Sequence, residues 1–164
     1  GEFRRSYTSQ GLNIGGIMAE EKPYLISRTY LFNLRKGEDL LEALQEFCHN
    51  NQIRCGIINA IGGVEKATLG FFDQKAKKYA KTIINRELEI VSLSGNVSLL
   101  DDRPMVHAHI TVADSETKAY GGHLMAGTTV FACEVFIQEL TGNPKVRRTD
   151  KATHLPLWFH VPGK

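Results

Sequence analysis

The chain has 164 residues, is 42% hydrophobic and carries a formal net charge of +2 at pH 7. Those values suit one globular domain with its own core and lack the strong basic excess of a dedicated DNA-binding module. Three cysteines, Cys48, Cys55 and Cys133, form no C-x-x-C pair, which argues against a disulfide framework or a cysteine zinc knuckle and points to a reduced cytoplasmic compartment.

Residues 1–17 are polar, glycine-bearing and without periodicity. They read as a vector-derived leader, with Met18 as the native start and residues 18–164 as one domain. Tyr24 to Leu34 alternates as a strand. Arg35 to Asp39 breaks it, and Glu38 or Asp39 caps a helix whose apolar positions are Leu40, Leu41, Leu44, Phe47 and Cys48. His49-Asn50-Asn51 ends that helix. Gln52 to Ala60 reads as a buried strand. Gly62-Gly63 breaks it, and Val64 to Phe72 forms the next strand. Asp73 to Lys78 is a basic turn, and Tyr79 to Ile84 a short strand. Glu87 to Leu99 is another strand, bulged at Gly95. Asp101 to Pro104 is a turn. Thr128 to Leu140 is apolar on both sides, as a central strand would be. The tail, Lys145 to Arg148 with Leu155 to Phe159, adds one edge strand or a loop, since Pro156 removes a donor. The order predicts an α+β fold with a mainly antiparallel sheet and flanking helices. No apolar run reaches the roughly 18–20 residues that cross a bilayer, so no membrane partner is expected.

The stretch from Met105 to Ala126 reads as a β-hairpin around the polar turn Asp114-Ser115-Glu116-Thr117-Lys118. His107 and His109 are two apart and share a face. With the turn centred on Glu116, His109 lies opposite His123. A bulge at Gly121-Gly122 would shift that pairing by one residue. Three imidazoles converging from these positions can hold zinc or another divalent transition metal, leaving a fourth position open. The plainer alternative is three solvent-facing or hydrogen-bonded histidines on a polar sheet face. His49, His154 and His160 lack ligand spacing.

Glu89 and Glu134 are acidic residues in predicted strands. Either is a candidate catalytic base or a partner orienting a ligand imidazole, against the ordinary reading of a solvated carboxylate. Arg103 and Asn96 are lesser candidates near the hairpin. Lys75, Lys77, Lys78, Arg147 and Arg148 form the basic clusters, with a solvated surface as their default reading.

Several motifs together resemble the plant-and-prokaryote-conserved (PPC) domain in its stand-alone prokaryotic form. They are Gly37-Glu38-Asp39-Leu40-Leu41, Gly62-Gly63-Val64, Leu69-Gly70, Glu89 through Asn96, His107-Ala108-His109 and Gly121-Gly122-His123-Leu124. The resemblance spans about residues 24–160. It implies an antiparallel sheet assembled as a homotrimer and an association with DNA. Plant members reach DNA through Arg-Gly-Arg AT-hooks, and this chain has no Arg-Gly-Arg. Of the plant Gly-Arg-Phe-Glu-Ile-Leu hexapeptide, Arg86 to Val91 keeps only the Glu-Ile portion. The fold is also similar to that of acetolactate decarboxylase, whose zinc is held by histidines in the order His107, His109 and His123 follow here.

Two functions stand side by side. One is a metal-binding regulatory or DNA-associated module. The other is a zinc-dependent lyase or hydrolase acting on a small anionic substrate, with metal polarising a carbonyl or activating water and Glu89 or Glu134 moving protons.

Overall fold

Strand β2 (Gly56–Asp73) is 18 residues long and touches most of the sheet. The structure, a computed structural model, describes residues 23–159. The expected leader at 1–17, the start at Met18 and His160 lie outside the described residues. The element order begins with β1 (Leu25–Leu34), α1 (Leu40–Asn50), β2 and β3 (Lys78–Ile84). It continues with β4 (Leu88–Leu100), β5 (Arg103–Ala113), β6 (Ala119–Leu124), β7 (Thr129–Thr141), β8 (Val146–Thr149) and β9 (Pro156–Phe159). All nine strands form one sheet.

The first half of β2 runs between β4 and β7, and the second half pairs with β3 and β6. Because β4 pairs with β5 and β5 with β6, the ladder closes on itself through β2, β4, β5 and β6. Closure leaves these strands without an open edge over the ring. Pairing is antiparallel apart from β4 with β8. β7 is central, between β1 and β2, as its two apolar faces predict.

Gly62-Gly63 does not end a strand. β2 passes through with local register shifts beside both neighbours. Gly62 has φ +140°, and a Cβ there would run into the Ala132 carbonyl oxygen. The glycine bends the strand at the point where it changes partners. The expected bulge at Gly95 is absent, since Gly95 pairs regularly with Ala108 and the irregularity falls between Ile90 and Ser92. The tail forms a hairpin of two strands, β8 and β9, rather than a single edge strand.

The core lies inside the curled sheet. It holds Ile58, Ala60 and Val64 of β2, Ile90, Leu93 and Val97 of β4, and Val106, Ala108, Ile110 and Val112 of β5. Helix α1 contributes Leu40, Leu44 and Cys48. Asp39 is the N-cap, its side chain accepting from the Glu42 N–H at 3.0 Å. Phe47 stacks on Phe32 at 4.0 Å and meets the edge of Tyr30 at 5.3 Å. Among the described residues α1 is the one helix, so the expected flanking helices reduce to a single one. From Gly56 to Thr141 the chain turns from strand to strand and leaves no segment for another.

Candidate metal centre

β5 is divided by its pleat. Val106, Ala108, Ile110 and Val112 are buried in the core, and the odd-numbered positions between them face outward. His107 and His109 are two of those outward residues. The turn at Asp114 returns the chain as β6, and Asp114 Oδ1 accepts from the N–H groups of Glu116 and Lys118, both at 3.0 Å. The resulting register sets His109 directly opposite His123, with no bulge at Gly121-Gly122. Gly122 instead permits close approach, since a Cβ there would lie 2.9 Å from the Gly70 carbonyl oxygen of β2.

The three rings meet. Centroid separations are 5.3 Å for His107–His109, 5.1 Å for His107–His123 and 5.6 Å for His109–His123. One ring nitrogen from each lies within 4.8 Å of the others. Ligands bound to one ion at about 2.0–2.1 Å stand roughly 3.3 Å apart in a tetrahedron, so small side-chain adjustments would complete a shell. A second observation supports the fit. Nδ1 of His123 is buried and makes no hydrogen bond among the described residues. A buried polar atom without a partner costs about 1–3 kcal/mol, and an ion would supply that partner.

Burial, then the neighbouring Arg147 charge, then the other histidines lower the His107 pKa to about 4. Burial foremost, with His109 and Arg147, also lowers His123. Both shifts favour the neutral imidazole at neutral pH, which is the form that ligates a metal.

Three surrounding elements fix these rings. Gln45 on α1 accepts from the Val106 N–H at 2.9 Å, and its amide donates to the Pro104 carbonyl. The pair ties the helix to β5 immediately before His107. From β3, Tyr79 stacks on His123 with centroids 4.8 Å apart. Gly70, opposite His123, makes room for it, since a Cβ there would sit 3.1 Å from the Tyr79 ring. From β8, Arg147 donates to Ser98 Oγ at 2.7 Å, Asn96 Oδ1 at 2.9 Å and the Pro156 carbonyl at 2.8 Å. Its Nη2 stands 3.4 Å from His107 Nδ1.

Arg147 corrects an expectation. It is 6% exposed rather than part of a solvated basic surface. Asn96 is the register partner of His107 and holds Arg147 in place. Tyr79 and Gln45 carried no signal in the sequence that linked them to the histidines. The turn residue Arg103 opens β5 and is exposed.

Glu89 and Glu134 are not brought to the histidines. Glu89 pairs with Ala113, four residues along β5 from His109, or about 13 Å at strand rise. Glu134 pairs with Asn33 and Ile61 on the far side of β2. Both line a separate open depression of about 570 Å³ with Ile61, Val91 and Phe131. Neither is placed to pass a proton at the imidazole cluster.

A model of the Plants and Prokaryotes Conserved domain matches residues 22–141. This chain belongs to that family. A metal-containing protein from Archaeoglobus fulgidus is 38% identical with TM-score 0.80, covering 87% of this chain and 100% of that one. A candidate DNA-binding protein from Bacteroides thetaiotaomicron is 28% identical with TM-score 0.75, covering 83% of this chain and 96% of that one. The bifunctional protein GlmU of Synechococcus sp. (strain JA-3-3Ab) is 33% identical over 128 residues. That match covers 77% of this chain but only 19% of the GlmU protein. A Staphylococcus aureus protein similar to alpha-acetolactate decarboxylase shares the fold at 16% identity and TM-score 0.50, covering 70% of this chain and 52% of that one. For this PPC-domain protein, none of those relatives' activities follows from the likeness alone. The helix α1 is too short to cross a membrane, and none among the described residues is long and apolar enough to do so.

Proposed function

We propose that this PPC-domain protein binds one divalent transition metal ion, zinc foremost, through His107, His109 and His123. The carrying observation is the convergence of one nitrogen from each ring within 4.8 Å, beside a buried His123 Nδ1 that makes no hydrogen bond among the described residues. The metal-containing relative from Archaeoglobus fulgidus supports the reading. Three imidazoles would supply borderline-soft donors suited to zinc and leave room for an outside ligand.

The module is regulatory or DNA-associated, and it assembles as a homotrimer in the cytoplasm. Self-association is supported by an apolar outer sheet face: Leu31, Ile57, Ile61, Val91, Phe131 and Phe136 are exposed on neighbouring strands. Free, buried cysteines are compatible with a reducing compartment. Association with DNA rests on the name of the Bacteroides relative and on exposed Lys75 and Lys77 in one turn, with Lys78 following at the start of β3. With no Arg-Gly-Arg, any contact is to backbone rather than to base edges.

A second reading, a lyase or hydrolase of a small anionic substrate, draws on the three-ligand count, which is that of catalytic zinc sites. Among the described residues no acidic side chain acts on His107 or His123, and Tyr79, stacked on His123, is a proton-bearing side chain at hand.

Metal analysis of the purified protein tests the proposal. Close to one ion per chain is expected, and H107A/H109A should carry none. Stoichiometric metal retained by that double variant would refute the assignment.

A further inference from the structure

Arg147 is a buried cation with neutral partners. Ser98, Asn96 and the Pro156 carbonyl accept its hydrogen bonds, and among the described residues no carboxylate pairs with it. Such a charge is costly to bury unless something compensates it. Its nearest ionisable neighbours supply no negative side chain to offset it. On one side stands His107, with Nδ1 at 3.4 Å, and beyond it the other two imidazoles. On another side stands Tyr79, close enough that the phenol and the guanidinium act on one another's ionisation. Tyr79 carries a phenolic O–H, a hydrogen-bond donor. The charges acting on His107 and His123 are Arg147 and the other histidines, with no acidic side chain among them.

A divalent ion held by the histidines would therefore join an unneutralised guanidinium. Two cationic centres this close repel unless a negative charge lies between or beside them. Arginine has five N–H donors, and the three neutral acceptors use three of them. His109 is exposed, which leaves the cluster open to solvent on that side.

We infer that Arg147 and the histidine cluster together form a site for a small oxyanion, a carboxylate or a phosphate, that binds jointly with the metal. The inference rests on the metal reading and deepens it by naming the class of outside ligand. Arg147 supplies the fixed positive charge, held in place by Ser98 and Asn96 of β4. Tyr79, stacked on His123, supplies a neutral donor on the β3 side. Metal and anion then favour each other: each tightens the other by the same factor, as linkage requires.

The test measures cobalt(II) or zinc affinity by chelator competition at fixed ionic strength, in perchlorate alone, then with acetate, then with inorganic phosphate. For the wild-type protein we expect metal binding about tenfold tighter with at least one anion. Visible absorption of the cobalt form should shift as that anion enters. The acetate and phosphate arms identify which oxyanion is taken. R147M keeps the side-chain length and removes the charge. It should abolish the coupling, so that its metal affinity is the same in perchlorate, acetate and phosphate. R147K keeps the charge and should retain part of the coupling, and thermal melts of both variants check that the β8–β9 hairpin stays folded. Equal metal affinity in all three salts overturns the inference and leaves the metal site standing. Coupling undiminished in a folded R147M overturns Arg147's part. Absence of metal binding in every salt overturns both readings.

Discussion

His109 and His123 are direct register partners across β5 and β6, their ring centroids 5.6 Å apart. His109 faces solvent and lies outside the core, so H109A should fold normally. It should lose most of the stabilisation that zinc confers on the wild type. At zinc a hundredfold above its dissociation constant, that stabilisation is about 2.7 kcal/mol. Thermal melts with and without zinc read the difference. An equal zinc-induced shift in H109A would contradict its role as a ligand.

Gln45 should matter to both fold and site. Replacing it with alanine strips the Val106 N–H and the Pro104 carbonyl of their side-chain partners. A loss of about 1–3 kcal/mol is expected by denaturant unfolding. Metal affinity should also fall, because the backbone before His107 loses its anchor on α1. A variant as stable as wild type with unchanged metal affinity would show the anchor to be dispensable.

The cysteines set a pH limit. Burial pushes the Cys48 thiol up to about 12 from an ordinary value of 9.0. Burial, then the Glu134 charge, pushes Cys133 up to about 11. The raised values keep both groups protonated in the folded chain. Their contribution to stability is intact below pH 9 and declines as pH climbs from there toward 11–12, where only the unfolded chain ionises freely. At pH 8 a thiol reagent should leave Cys48 and Cys133 unmodified in the native protein and react with all three cysteines after denaturation. Rapid native labelling of Cys48 would show that α1 opens readily.

Ile61 is 49% exposed between strands β7 and β4 on the apolar outer face. If copies of the chain pack there, I61D should convert a trimer to monomers by light scattering while leaving the monomer's own fold intact. Its side chain points away from the core, so stability of the isolated chain should change by no more than about 0.5 kcal/mol. Wild-type monomers at all concentrations would remove the trimer.

Local patterns were legible where one segment carried its own instruction. The apolar spacing at Leu40, Leu44 and Cys48 marks α1, and Asp39 marks its start. The polar turn from Asp114 to Lys118 sets a symmetric register, which is why His109 and His123 could be paired from residues alone. Gly62-Gly63 misled because a glycine pair ends many strands. Here β2 is held by neighbours on both sides, and the glycines bend it without stopping it. Arg147 was unreadable for another reason. Its partners Ser98 and Asn96 lie 49 and 51 residues away, and nothing local distinguishes it from the exposed Arg148 beside it. Glu89 and Glu134 looked chemical because they are acidic in strands, but only the three-dimensional order of β7, β2, β4 and β5 reveals how far they stand from the imidazoles.

The pleat of β5 has one more consequence. Its even positions hold the molecule together and its odd positions carry the donors, so architecture and chemistry occupy alternate residues of one strand. A descendant could exchange His107 or His109 for another outward side chain without disturbing the interior. The scaffold can therefore outlive whatever job its histidines perform, and kin with the same frame need not share a trade.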